Sequence, residues 1–270
     1  MNRSRGLRLI VILALAALFA SPVVLMFLGS LQTPGLPPAD GLQIVPDLVR
    51  WANYQSVFQI VDLSEQIRNS LIVAVVAVPL SVLIGSWAGF AIVTASPRAR
   101  RILLAVTVAA LMVPTGALLV PRFVFFRWLG LIDTLWALGA SSLMATSPFF
   151  VLIFVLVYSR IPRNLFEAAR VEGLSEMSIW RRVAWPLGKP AAFAVAVLAF
   201  VFHWSNFLEA VLYISSRERY TVSLGLRLLH TLEPALLPIL LTGAVVATIP
   251  SVVAFLAAQR SLFDRTVEGR

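Results

Sequence analysis

Residues 167–186 read EAARVEGLSEMSIWRRVAWP, a charged, Arg-rich stretch set between apolar runs near 134–158 and 190–214. Each flanking run exceeds the roughly 20 apolar residues that a helix needs to cross a hydrocarbon core of about 30 Å. A polar helical segment held between two such runs lies at a membrane face, and its own sequence carries the marks of a folded knob. Ala168 and Ala169 favour helix, and Gly173 suits a left-handed helix end. Ser175 is a natural N-cap for a second short helix, with Leu174 placed to pack on Ile179.

Outward from this stretch the chain is apolar. Of its 270 residues 59% are hydrophobic and 13% charged, and the mean hydropathy is +0.89. This composition leaves too little polar surface for a soluble domain. There is no cysteine and only two histidines, so neither a disulfide framework nor a His or Cys metal site is expected. No phosphate-binding Gly-x-x-x-x-Gly-Lys-Ser/Thr loop occurs, since Gly188-Lys189 runs into Pro190. ATP hydrolysis by this chain alone is therefore not expected, nor is any cofactor. The net charge of +9 comes from basic residues flanking apolar runs, which record membrane orientation rather than nucleic-acid binding.

The predicted fold class is an all-α membrane protein of six transmembrane helices. They lie near 9–30, 69–95, 102–121, 134–158, 190–214 and 236–258, with Pro79, Pro114, Pro148 and Pro250 as expected kinks. With a cytoplasmic N-terminus, 15 of the 22 basic residues fall on the inner side. The positive-inside rule then places both termini and the 160–189 loop in the cytoplasm. The chain thus divides into a tail (1–8), a first span (9–30), an outer loop (31–68), a membrane-embedded core (69–258) and a second tail (259–270). Arg3, Arg5 and Arg8 before an apolar run also fit a cleavable signal, but the run continues through Leu28, which favours a retained span. A surface helix is expected near Leu48 to Phe58, and a second outer segment near Ser215 to Glu233.

Within the loop, Asn164 as N-cap and Glu167 three positions later form the capping-box pattern. Glu167 also stands within reach of Arg163 and Arg170 for ion pairs. Helix-start carboxylate and partner contact are both open for Glu167. Pro186 and Pro190 are read as ending the knob. An alternative for the whole loop is an interfacial helix, with Trp180 and Trp185 at the lipid boundary.

The order Glu167-Ala168-Ala169, three residues, Gly173, nine residues, Val183-Ala184-Trp185-Pro186 resembles the EAA loop of the membrane subunits of binding-protein-dependent ABC importers. Further segments are similar to the second permease subunit of carbohydrate importers of the maltose class: Asn69-Ser70-Leu71, Gly130-Leu131-Ile132-Asp133-Thr134-Leu135-Trp136, Ile161-Pro162, Pro186-Leu187-Gly188-Lys189-Pro190 and His203-Trp204-Ser205-Asn206-Phe207-Leu208. The resemblance spans roughly residues 50 to 263. Glu172 stands where relatives usually carry Asp, and the tail Arg260-Ser261-Leu262-Phe263-Asp264 lacks their glycine-rich ending.

The resemblance implies a type I importer transmembrane domain in the cytoplasmic membrane. It implies a second permease subunit (a heterodimer), two ATP-binding subunits inside and an extracytoplasmic solute-binding protein. It assigns ATPase coupling to Glu167, Ala168, Ala169, Gly173 and Pro186. Candidates for the translocation path are Asn69, Trp204 and Asn206, with Thr115, Arg122, His203 and Glu209 as further intramembrane polar groups. The rival reading is an ion-coupled secondary transporter, which would place carboxylates or broken helices near the midplane. All spans but the fifth lack interior Asp or Glu. A membrane enzyme built on His203 would need a companion motif, and none accompanies it.

Overall fold

The computed structural model describes residues 3–35, 48–143, 147–232 and 236–267. Among them the secondary structure is entirely helical, as expected for backbone that must satisfy its own hydrogen bonds in lipid. Among the described residues four helices are long and apolar enough to cross a membrane: Gly6–Ser30, Leu63–Thr94, Glu176–Trp204 and Leu237–Ala257. Two bent pairs bring the number to six if each counts as one span.

The bent pairs correct the expectation of simple kinks. Helix α4 (Pro97–Leu111) stops at Met112. After Pro114 a short 3-10 turn and α5 (Leu119–Trp128) leave at 93°. Leu135–Leu143, which opens with α6 (Leu135–Ala140), and Pro148–Tyr158 meet at 43°. Proline lacks the donor that would carry the ladder through, so Pro114 and Pro148 sit at helix starts. Pro79 and Pro250 instead lie inside unbroken helices.

The chain forms two compact units, Met1–Ile67 with Leu224–Pro250 and Arg68–Ser223 with Ser251–Arg270. In the first, the end of α1 (Arg3–Ser30) is tied down by α2 (Ala52–Ile60), the surface helix expected near Leu48. The buried Asn53 Nδ2 donates to the carbonyls of Ser30 and Gln32, both at 2.8 Å. Ser30 holds the last carbonyl of α1, which has no intrahelical partner, and Gln32 lies just beyond it. Thr242 Oγ1 adds a bond to the Ser30 carbonyl at 3.1 Å. Of the expected outer loop, residues 36–47 lie outside the described residues.

In the second unit, α3 (Leu63–Thr94) packs on α7 (Pro148–Tyr158). Gly89 of α3 lies so close that a Cβ there would meet Phe154 Cβ at 2.6 Å. Small residues that let backbones approach take the place of a hydrophobic driving force in lipid. Phe90, Phe150, Phe154 and Tyr158 form the buried aromatic centre of this unit, with Phe90 edge-on to Tyr158. Helix α8 (Arg163–Val171) docks on that centre through Phe166 and Ala169.

Candidate functional site

Helix α8 begins at Arg163 with Pro162 as N-cap and no side-chain cap bond. The capping box expected from Asn164 and Glu167 therefore does not form. The reason is local: Pro162, at φ −57° and ψ 131°, sets the helix entry two positions earlier, so Asn164 is already inside the first turn. Glu167 and Ala168 are exposed, whereas Ala169 turns inward and is 6% exposed. Of the Glu-Ala-Ala triplet, Ala169 provides the seat and its two neighbours the outer face.

The turn after α8 follows the sequence reading closely. Gly173 has φ +80°, the Leu174 amide donates to the Ala169 carbonyl at 3.1 Å, and the Gly173 amide to that of Arg170 at 2.9 Å. This paired pattern is the Schellman end. Ser175 Oγ then accepts from the Ser178 amide at 3.3 Å, capping α9 (Glu176–Ile179). Arg170 grips Glu176 across the turn at 2.7 and 3.2 Å. That hydrogen bond pushes the Arg170 guanidinium further up. The expected pairing of Arg170 with Glu167 is thus secondary to Glu176.

Pro186 and Pro190 do not end the knob. The chain is helical without interruption from Glu176 to Trp204, passing through a π turn at Trp180–Ala184 into α10 (Trp185–Trp204). Pro186 falls in the first turn of α10, and the wider π turn before it leaves backbone donors that proline lacks unneeded. Sequence reasoning also missed the joint beneath this turn. Trp180 Nε1 donates to Ser86 Oγ at 3.0 Å, and Ser86 Oγ meets Tyr158 Oη at 2.6 Å. Ser86 and Tyr158 are fully buried, so α3, α7 and the π turn share one hydrogen-bonded knot. Ser86 lies in an apolar run, where nothing in the sequence distinguishes it from a lipid-facing serine.

The path candidates separate into two groups. Asn69 is a structural tie: its Nδ2 donates to the carbonyls of Glu218 at 2.8 Å and Tyr220 at 3.1 Å. Trp204 is buried and stacks on Phe200 at 5.3 Å. His203 is buried with Nε2 3.4 Å from Ser81 Oγ. Thr115, Asn206 and Glu209 instead come together around a hollow of about 250 Å3. Glu209 Oε1 accepts from Arg122 Nη1 at 2.9 Å, and its Oε2 from Asn206 Nδ2 at 2.9 Å. The expected fifth span near 190–214 therefore ends at Trp204. Its remainder is a break followed by the short α11 (Leu208–Tyr213).

Beyond α11 the segment expected on the outer side is latched rather than loose. Asp133, at φ +60°, accepts from the amides of Ser215 at 3.0 Å and Ser216 at 2.9 Å, from Ser216 Oγ and from Arg219 at 2.7 Å. Partial burial pushes the Asp133 carboxyl up, but these donors and the Arg219 charge outweigh it and hold it well below the usual carboxylate range. The segment then forms α12 (Val222–Leu232), whose amide at Val222 bonds Ser70 Oγ at 3.0 Å.

The model for the family described as binding-protein-dependent transport system inner membrane component matches residues 81–267, from the middle of α3 into the last helix. The chain belongs to this family. It is 28% identical to the arabinooligosaccharides transport system permease protein AraQ of Bacillus subtilis, over 91% of this chain and 88% of that one. It is equally 28% identical to the lactose transport system permease protein LacG of Rhizobium radiobacter, over 92% and 90%. A bacterial ABC transporter involved in import of the acidic polysaccharide alginate shares the fold, with a TM-score of 0.76 at 20% identity over 96% of both chains. As a binding-protein-dependent inner membrane component, the chain is a multi-pass transport subunit, not an enzyme. The family match includes both the α8–α9 knob and the Arg122–Glu209 hollow.

Proposed function

We propose that this chain is one permease subunit of an ATP-driven importer of saccharides. Separate ATPase subunits drive it through the α8–α9 knob. In this reading both termini and the knob lie in the cytoplasm, a second permease subunit completes the channel, and a solute-binding protein delivers the sugar from outside. The basic residues around 160–189 support that sidedness. The named relatives, which carry arabinooligosaccharides and lactose, support the solute class.

The observation that carries the coupling role is the continuity of the knob with a membrane helix. The outer face of α8 exposes Leu165, Ala168 and Val171, the last at 89%, beside Glu167 and Glu172. An apolar stripe with a charged border is what a second protein can cover. A push on it crosses the capped turn that the Arg170–Glu176 pair spans and enters a 29-residue helix that includes α10. The nucleotide state can bias the channel only if the ATPase binds its two conformers with different affinity. Purification in mild detergent should return the ATPase and the second permease with the wild-type chain. Glu167→Lys and Gly173→Asp should lose the ATPase and abolish uptake while remaining in the membrane. Normal uptake by both variants defeats the reading.

A further inference from the structure

The hollow beside Glu209 combines three features that the coupling role does not use. Two helix interruptions meet there: its wall comes from Thr115 and Gly116, just after the Met112–Pro114 break, and from the Ser205–Phe207 break between α10 and α11. Irregular backbone at membrane depth persists where it is buried in protein or lines a water-filled cavity. Its lining mixes hydroxyl, amide and carboxylate groups (Thr115, Ser205, Asn206, Glu209) with the rings of Phe202 and Phe207. Finally, it carries a buried charge pair whose partners are both 5% exposed.

We propose that this hollow is a subsite for a single uncharged sugar ring, with Asn206 and Glu209 meeting its hydroxyls and Phe202 and Phe207 its C–H face. The inference rests on the reading of the chain as a saccharide permease. A volume of about 250 Å3 falls just short of the roughly 300–1,000 Å3 of sites for drug-sized ligands, so it suits one ring rather than a chain of them. A carboxylate offers about four lone-pair sites. Arg122 and Asn206 each engage one oxygen of Glu209, which leaves acceptor capacity for hydroxyl donors from a solute. The charge balance selects the class. Arg122 pairs with Glu209 from behind the wall, and Glu209 is the charged side chain that lines it. A uronate would bring its carboxylate against that of Glu209, whereas a neutral sugar meets no such repulsion.

The chain contains no cysteine, so label read on this subunit after it is separated from its partners reports on one introduced thiol. Gly116 lines the hollow and has open space where a Cβ would stand. The complete transporter carrying Gly116→Cys is assembled in proteoliposomes and first assayed for uptake of labelled maltose, lactose, trehalose, arabinobiose and digalacturonate. Modification of the thiol by a small membrane-impermeant methanethiosulfonate is then timed with and without the transported sugar. The expected result is modification that a transported neutral sugar slows and digalacturonate does not, with Asn206→Ala weakening the protection about tenfold, the loss of one hydrogen bond. Glu209→Gln leaves Arg122 positive, so digalacturonate should begin to protect. A thiol that stays unmodified, or a neutral sugar that is transported yet gives no protection, overturns the subsite and leaves the saccharide permease standing. Equal protection by digalacturonate in the unsubstituted Glu209 background also overturns it. If none of the saccharides is taken up, both readings fall together.

Discussion

Gly188 shows how much one residue can hide from the sequence. It stands out there only as part of Pro186-Leu187-Gly188-Lys189-Pro190, without a physical reason. In the structure a Cβ at this position would lie 2.6 Å from Tyr158 Cε1 and 2.9 Å from its hydroxyl. Tyr158 has no room to yield, being fully buried and bonded to Ser86. Gly188→Ala should therefore cost about 1–3 kcal/mol by overpacking, read as a lower denaturation midpoint in detergent. Ser86→Ala should cost a similar 1–3 kcal/mol or so, because the Tyr158 hydroxyl and Trp180 Nε1 lose their shared partner in an apolar interior. An unchanged midpoint in both variants would remove the knot from the account. Trp180 itself was open to a lipid-anchoring role. Its indole donor is instead committed inward, which no spacing argument could have told.

At the scale of elements, the sequence was most legible where a local rule has one solution. Gly173 and Ser175 read as helix end and helix start, and both hold, because a left-handed residue and a capping hydroxyl are decided by a few neighbouring atoms. The rule failed at Asn164, read as a helix cap, and at Pro186, read as the end of the knob. A proline reads as a boundary, but which side of it the helix occupies depends on tertiary packing, here of Phe166 and Ile179 against the buried centre. The hollow was half legible: Thr115, Arg122, Asn206 and Glu209 were picked out as intramembrane polar groups, but their convergence depends on a 93° bend. The latch on Asp133 makes an element-scale prediction. A carboxyl held below its ordinary range adds stability that is present above its unfolded pKa, near 4, and lost as pH falls below that. Asp133→Asn should unfold more readily than wild type at neutral pH, with the gap closing as the medium is acidified. A gap that widens in acid would contradict the assignment. Tryptophan fluorescence during thermal unfolding measures it.

For the whole molecule, hydropathy alone was enough to announce a helical membrane protein, since apolar runs of this length have few other uses. The number of crossings was less accessible. Six runs appear in the sequence, while the described residues build four continuous helices of spanning length and two bent pairs, because a proline within an apolar run does not state how far the chain will turn. The proposed transport depends above all on the α8–α9 knob meeting an ATPase at the inner face. The direct measurement is a single cysteine at Val171, the most exposed apolar residue of α8, in a chain that otherwise has none. Val171→Cys should react with an impermeant thiol reagent in inside-out vesicles but not in intact spheroplasts, and a short bifunctional reagent should join it to the ATPase subunit. Reaction from the outside of intact spheroplasts, with no cross-link to the ATPase, would contradict the account.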